Sequence, residues 1–362
     1  MYSINSIFFN LNETTRFMKY FFWSLIFLLI VGCSSSKKIK VSQIEDIWFA
    51  YSPNQDLNHG SEFEGEIMLQ TYDGKQYEMR KNAKLSFSSY DLSKKGTSGN
   101  YVIIKKSNSF NDDKCFMTLK YSNKGEDFIK VDSIAMNFQG PLGIIYRGTD
   151  GSSGENQKNR GTPLLFRDGK DGESGTNGTN GRSVGDFTGH VWKDNTYTYF
   201  HIQENNSSDV FKYKMTNGNH VQFDLSGGRG GSGGNGGNGG NGKDGEIKGD
   251  KTKRPGDAGN GGDGGDAGNG GNGGSLKLFL HSNCSGIQNQ ISFVAKGGHY
   301  GLAGTAGNSG EPGTPLSGQQ AAKQGWNGSP GQVGQNGYDG SLTISFEDFN
   351  ILILFLAFSL KF

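Results

Sequence analysis

GGRGGSGGNGGNGGNGKDG occupies residues 227–245, and GDAGNGGDGGDAGNGGNGG follows at residues 256–274. In both stretches glycine returns at every third position, from 227 through 230 and 233 to 245, then from 256 through 259 and 262 to 274. A period of three belongs to the polyproline II helix, which rises about 3.1 Å per residue and makes no internal hydrogen bonds. Each of its three faces is then one position of the triplet. In the first run two faces are mostly glycine and the third reads Arg229, Ser232, Asn235, Asn238, Asn241, Asp244. In the second, the polar face reads Asp257, Asn260, Asp263, Asp266, Asn269, Asn272, and only Ala258 and Ala267 interrupt the glycine of the other two. Neither stretch suits an ordinary helix or strand, because glycine is disfavoured in both.

Further runs keep glycine on one face only, at residues 169–181, 298–313 and 325–340, and the spacing begins at Gly148, Gly151 and Gly154. Bulky residues such as Tyr300, Leu302, Trp326 and Tyr338 occupy the remaining faces of the later runs. Buried backbone amides and carbonyls must be paired. In an extended helix they point outward, so their natural partners are neighbouring helices that approach where no side chain intervenes. The pattern therefore predicts a bundle, with the two double-glycine runs central and the single-glycine runs outside. It resembles the polyglycine II bundles of the glycine-rich snow-flea antifreeze proteins and of the receptor-binding tips of certain phage tail-fibre adhesins. The resemblance covers roughly the second half of the chain and implies a fold of stacked glycine-triplet helices, without a function. An ice-binding face is a flat array of small residues such as Thr and Ala, whereas the exposed face here is Asn and Asp. A flexible linker and a collagen triple helix compete as readings of the composition. Against the first stand the maintained frame and the strand-like segments between runs; against the second, only seven prolines and short, interrupted runs.

The N-terminus reads as a secretory signal, with Lys19 ahead of an apolar core at residues 20–32 and Met18 as the true start, so that residues 1–17 are an upstream extension. Ile30-Val31-Gly32-Cys33 resembles the lipobox of bacterial lipoproteins. That resemblance implies a lipid-modified Cys33 as first residue of the mature chain, a tether at residues 33–40, and an outer-membrane address with an undetermined leaflet. Residues 41–140 read as an antiparallel β-sandwich, because residues 66–72 and 75–80 flank the hairpin signal Asp73-Gly74 and further strand patterns lie at 101–106, 116–121 and 128–138. Residues 141–349 form the polyglycine II unit, with strands at 196–202, 211–215, 220–225, 276–281, 290–296 and 342–346 bracketing the runs. Ordering a residue costs about 1–2 kcal/mol, and a hydrogen bond returns about 0.5–1.5 kcal/mol, so these apolar strands supply burial that glycine cannot. The apolar tail at 350–362 is too short to span a bilayer and reads as a last buried strand or a non-native appendage. The expected fold class is mostly β and irregular: an N-terminal sandwich, then a polyglycine II bundle bracketed by strands.

A formal net charge of +1 with no basic stripe argues against nucleic acid. Cys115 and Cys284 fall in different predicted units, and the six histidines show no ligand spacing. A nucleophile-elbow pattern around Ser232 is a coincidence of the glycine run, since no strand-turn-helix context surrounds it. Gly261 to Asp266 satisfies the first six places of the calcium-binding nonapeptide, making Asp257, Asp263 and Asp266 a candidate calcium face; the eighth place, which needs an apolar residue, is Gly268. The alternative for these aspartates is a solvated face of side-chain ladders. Tyr300, Trp326 and Tyr338 are candidate glycan contacts, or packing against a neighbouring run. The reading that follows is a non-enzymatic, lipid-anchored envelope protein with a structural or adhesive role and no cofactor. Its partners are the membrane and a surface glycan or protein; the alternative is a calcium-dependent or glycan-binding surface protein.

Overall fold

The computed structural model describes residues 38–52, 54–79, 83–87, 90–95, 100–105, 109–162 and 167–356. The signal segment and Cys33 lie outside the described residues. Strands make up 34% of the chain and helices 5%, so the protein is mostly β with long irregular segments.

After a 3-10 turn at Val41–Gln43 come β1 (Ile44–Tyr51), β2 (Glu62–Thr71), β3 (Gln76–Glu78), β4 (Ala83–Phe87), β5 (Tyr90–Lys95), β6 (Asn100–Lys105), β7 (Lys114–Asn123) and β8 (Glu126–Ala135). One antiparallel sheet runs β1-β2-β6-β5, with β3 paired to β2, and a second runs β4-β7-β8. Along β2 and β7 every second residue is buried, the period of a strand with one face inward. Those faces share a core in which Ile47, Phe49, Phe63 and Leu69 meet Met117, Leu119, Tyr121 and Ile134. The Asp73-Gly74 signal sits between β2 and β3, where Gly74 takes φ +78°, a left-handed conformation that costs glycine least.

The second half contains β9 (Leu142–Ile145), β10 (Phe187–Lys193), β11 (Tyr197–Glu204), β12 (Val210–Thr216), β13 (Val221–Asp224), β14 (Glu246–Lys248), β15 (Lys251–Lys253), β16 (Leu276–Leu280), β17 (Ile291–Val294) and β18 (Leu342–Phe346). Strands β9, β13 and β17 form a parallel sheet in that order. Strands β10, β16 and β18 form another parallel set, extended beyond β10 by antiparallel β11 and β12. Leu142, Ile144, Val221 and Phe223 from the first sheet share a core with Phe187, Val191, Leu276, Leu278 and Leu280 from the second.

Six glycine-repeat segments without helix or strand assignment connect to these sheets: run 1 (148–160), run 2 (169–181), run 3 (227–245), run 4 (256–274), run 5 (298–313) and run 6 (325–340). Runs 1, 3 and 5 continue β9, β13 and β17, whereas runs 2, 4 and 6 lead into β10, β16 and β18. The strand register persists along the runs. Leu142 pairs with Val221, and the same 79-residue offset joins Asp150 to Arg229 and Asn159 to Asn238. Likewise the 89-residue offset of Phe187 and Leu276 recurs from Asp168–Asp257 to Asp186–Ser275. Offsets of 70 and 66 residues do the same for runs 3 with 5 and 4 with 6. The two layers are antiparallel to each other: Gly262 N–H donates to the Gly237 carbonyl at 2.9 Å, and three residues on Gly265 N–H donates to Gly234, three residues back.

Within the apolar tail, residues 351–356 differ from the expected strand, and residues 357–362 lie outside the described residues. Ile351–Leu356 is a short helix whose first turn is capped by Asn350, the side-chain oxygen of which accepts the Leu352 N–H at 3.0 Å. Ile351 and Leu354 pack on the second core. The two halves meet where Phe110 stands edge-on against Trp192 and Tyr199, and where Lys214 pairs with Asp113 at 2.5 Å.

Candidate interaction surface

The triplet of run 4 around Asp263 shows how glycine, position by position, is consumed. Gly262 N–H donates to run 3, Gly264 N–H donates to the Ser329 carbonyl of run 6 at 2.8 Å, and Asp263 N–H donates to the Ser174 hydroxyl of run 2 at 3.2 Å. The Asp263 carbonyl in turn accepts Gly175 N–H at 2.8 Å. Through such bonds runs 3 and 4 each join four other runs, and runs 1, 2, 5 and 6 lie around them. A methyl group at Gly262 would overlap the Glu173 carbonyl, and one at Gly264 the Gly304 carbonyl. Backbones this close leave no room for a side chain.

The third position of each triplet carries a different device. Asn235 and Asn238 accept the amides of Thr305 and Asn308 at 2.9 Å in each case. Asp257, Asp263 and Asp266 accept those of Lys323, Ser329 and Gln332 at 2.7–2.8 Å. The three aspartates of the candidate calcium face therefore each place one carboxylate oxygen on an amide of run 6, in line with Asn260, Asn269 and Asn272. This mostly exposed face is thus also a ladder of side-chain acceptors that locks each run to the next in its layer. Run 1 serves run 3 and run 2 serves run 4 in the same way. The signal was present in the sequence: among the described residues runs 5 and 6 have no further neighbour, and their corresponding positions hold residues such as Leu302, Glu311, Trp326 and Tyr338 in place of the Asn and Asp series.

Trp326 and Tyr338 stand in one row of run 6, 79% and 80% exposed, with Ser329, Gln332 and Gln335 between them. Tyr300 belongs to a different row, on run 5, is 43% exposed, and donates its N–H to the Asn336 side chain at 3.2 Å. The structure therefore brings two of the three candidate aromatics onto one line. Ser232 accepts the Leu302 amide at 3.3 Å, a structural task.

Titratable groups gather elsewhere, on the β10-β11-β12 sheet. His201 lies opposite His190 and Lys212, and among the described residues neither of its ring nitrogens has a hydrogen-bond partner. Burial, then the nearby Lys212 and His190, lowers His201 to about 4. Cys115 and Cys284 lie buried in separate cores, and burial pushes the Cys284 thiol up to about 11, which holds it protonated and unreactive. Among the described residues no group of three or more His, Cys, Asp or Glu is placed to hold a metal ion, and no helix is long and apolar enough to cross a membrane. A scan against family models, a search of characterised proteins and a search of solved structures each find no match.

Proposed function

We propose that the chain is a lipid-anchored envelope protein whose glycine-rich half is a polyglycine II bundle, carried on a β-sandwich next to the membrane and serving as a rigid, non-catalytic structural or adhesive module. The observation that carries the reading is the unbroken register: hydrogen bonds recur at every third residue from the strands to the far ends of the runs. At about 3.1 Å per residue, run 3 would extend about 56 Å. A slab of that length, anchored at one end by an apolar core, suits presentation of a surface away from a membrane. The anchor is tested by Cys33→Ala, which is expected to move the protein from the membrane fraction to the soluble fraction and to abolish incorporation of a fatty-acid analogue; unchanged incorporation would refute it.

The adhesive version has its own support in the exposed line of Trp326 and Tyr338. Exposed aromatic faces stack on the apolar faces of sugar rings, and the two are about 37 Å apart at the polyproline II rise. A glycan array probed with the full chain and with Trp326→Ala tests it. Binding that the substitution abolishes supports adhesion, and binding that survives it, or none at all, removes the aromatic row from the proposal.

A further inference from the structure

The two lateral edges of the glycine slab are built differently. At the edge made by runs 5 and 6, the positions whose amides would reach a further run are Tyr300, Ala303, Ala306, Ser309 and Pro312, and Asn327, Pro330, Val333, Asn336 and Asp339. Side chains stand there where runs 3 and 4 have glycine or alanine. Pro312 and Pro330 have no N–H to offer. Asn327, Asn336 and Asp339 fold back onto the amides of Ser309, Tyr300 and Gly297. Four of these ten positions, Tyr300, Ser309, Pro312 and Pro330, thus have no N–H left for a further run.

The edge made by runs 1 and 2 is open. In runs 3 and 4 the polar residue of each triplet uses its carbonyl to accept a glycine amide and its N–H to donate to a side chain, both from the preceding run of its layer. Asp150, Ser153, Asn156 and Asn159 of run 1, and Asp171, Ser174, Asn177 and Asn180 of run 2, hold the same place in the frame. Among the described residues no hydrogen bond occupies their N–H or C=O groups, and all eight are exposed. Two parallel rows of donors and acceptors, repeating every three residues, therefore face outward where the internal pattern stops. A row of unpaired backbone groups is a template for another chain, as at the edge of a β-sheet.

We propose that this edge docks an extended polypeptide segment of Asx/Ser-Gly-x triplets supplied by another molecule. The partner's chemistry is set by what the interior runs already do to one another. An ordinary strand repeats every two residues and loses step with the rows at once. A triplet segment stays in step along the row of run 1: its glycine N–H groups donate to the carbonyls of Asp150, Ser153, Asn156 and Asn159, and the Asn, Asp or Ser before each glycine accepts their amides. Glycine suits most steps of such a segment, because at Gly175 a Cβ would overlap the Gly234 carbonyl, although Gln157, Arg160, Ala258 and Ala267 make the same contact with a side chain. A second copy of this chain is a poor occupant, since its own Asx-Gly runs are committed to internal neighbours. The inference rests on the bundle reading above.

The test uses the full chain in detergent and a peptide with the sequence of residues 168–183, DGKDGESGTNGTNGRS, against a peptide of the same composition with its glycines out of phase. Saturable binding of the first peptide is expected, with slowed amide exchange at Ser153 and Asn156. The out-of-phase peptide is expected to do neither. Ser153→Pro removes one outward N–H, keeps an extended φ and sacrifices no side-chain hydrogen bond, so it is expected to weaken binding about 3- to 10-fold, the worth of one hydrogen bond, at an unchanged melting temperature. Should that variant fail to fold, the exchange map of the unsubstituted protein still decides. No saturable binding, equal binding of both peptides, or protection confined to other surfaces overturns the proposal. Protected Gly233 and Gly262 without peptide binding sink the docking inference alone, whereas unprotected Gly233 and Gly262 sink the bundle.

Discussion

At Gly236 an added methyl would overlap the Gly262 carbonyl of the opposite layer, so Gly236→Ala must push two backbones apart. Overpacking of this kind costs about 1–3 kcal/mol, and thermal unfolding is expected to show the loss. In a flexible linker the same change would be silent or slightly stabilising. Asn238 has a smaller, distinct task. Its side-chain oxygen accepts the Asn308 amide, so Asn238→Ala is expected to cost about 0.5–1.5 kcal/mol, while Asn238→Asp, which keeps the acceptor, is expected to cost less. Beside His59, which burial likewise lowers to about 4, His201 supplies part of the pH dependence. Its folded-state pKa of about 4 lies below the ordinary 6.5, so the unfolded chain takes up the proton first. Its contribution is fully present above pH 6.5, falls as the pH drops from 6.5 to 4, and is constant below; the loss is about 3 kcal/mol. His201→Phe removes this contribution together with two unpaired ring nitrogens, and denaturation midpoints at pH 7 and pH 4.5 are expected to differ less in the variant than in the natural chain.

Among the elements, the short parallel strands act as register clamps. Phe187 pairs with Leu276 and Leu276 with Leu342, and the offsets set there run on through the glycine segments without a slip. One residue inserted after Ser226 shifts run 3 against runs 1, 2, 4 and 5, places Arg229 and Asn235 where glycine is required, and is expected to abolish cooperative unfolding of the slab. One residue inserted at Gly249, between β14 and β15, lengthens an exposed turn and is expected to change the melting temperature little. Several of these strands were legible in the sequence, because residues 276–281 and 342–346 break the triplet frame with apolar side chains. Others were not. Strand β10 carries Gly189 and follows a glycine run without a turn signal, and β1 mixes Glu45 and Asp46 with Ile47 and Trp48. The apolar tail could be read with either period, and an Asn350 cap in three dimensions tips residues 351–356 to helix.

For the molecule as a whole, the triplet frame is written in every run, but the order of the runs is not. It depends on pairings between residues 66 to 89 positions apart, which no local pattern specifies. The candidate surface was legible in part: Trp326 and Tyr338 are exposed in one row, and the Asn and Asp face, read as a calcium face or as a solvated face of side-chain ladders, is mostly exposed and serves as the acceptor row that holds each layer together. The open edge could not be read from composition, since Asn177 of run 2 and Asn269 of run 4 look alike in sequence and differ only in having a neighbour on that side. Residue-resolved amide exchange of the full chain tests the central claim directly. Slow exchange at Gly233, Gly236, Gly262 and Gly265, with fast exchange at Ser153 and Asn177 in the same molecule, is the result the layered slab predicts; uniformly fast exchange through all six runs would contradict it.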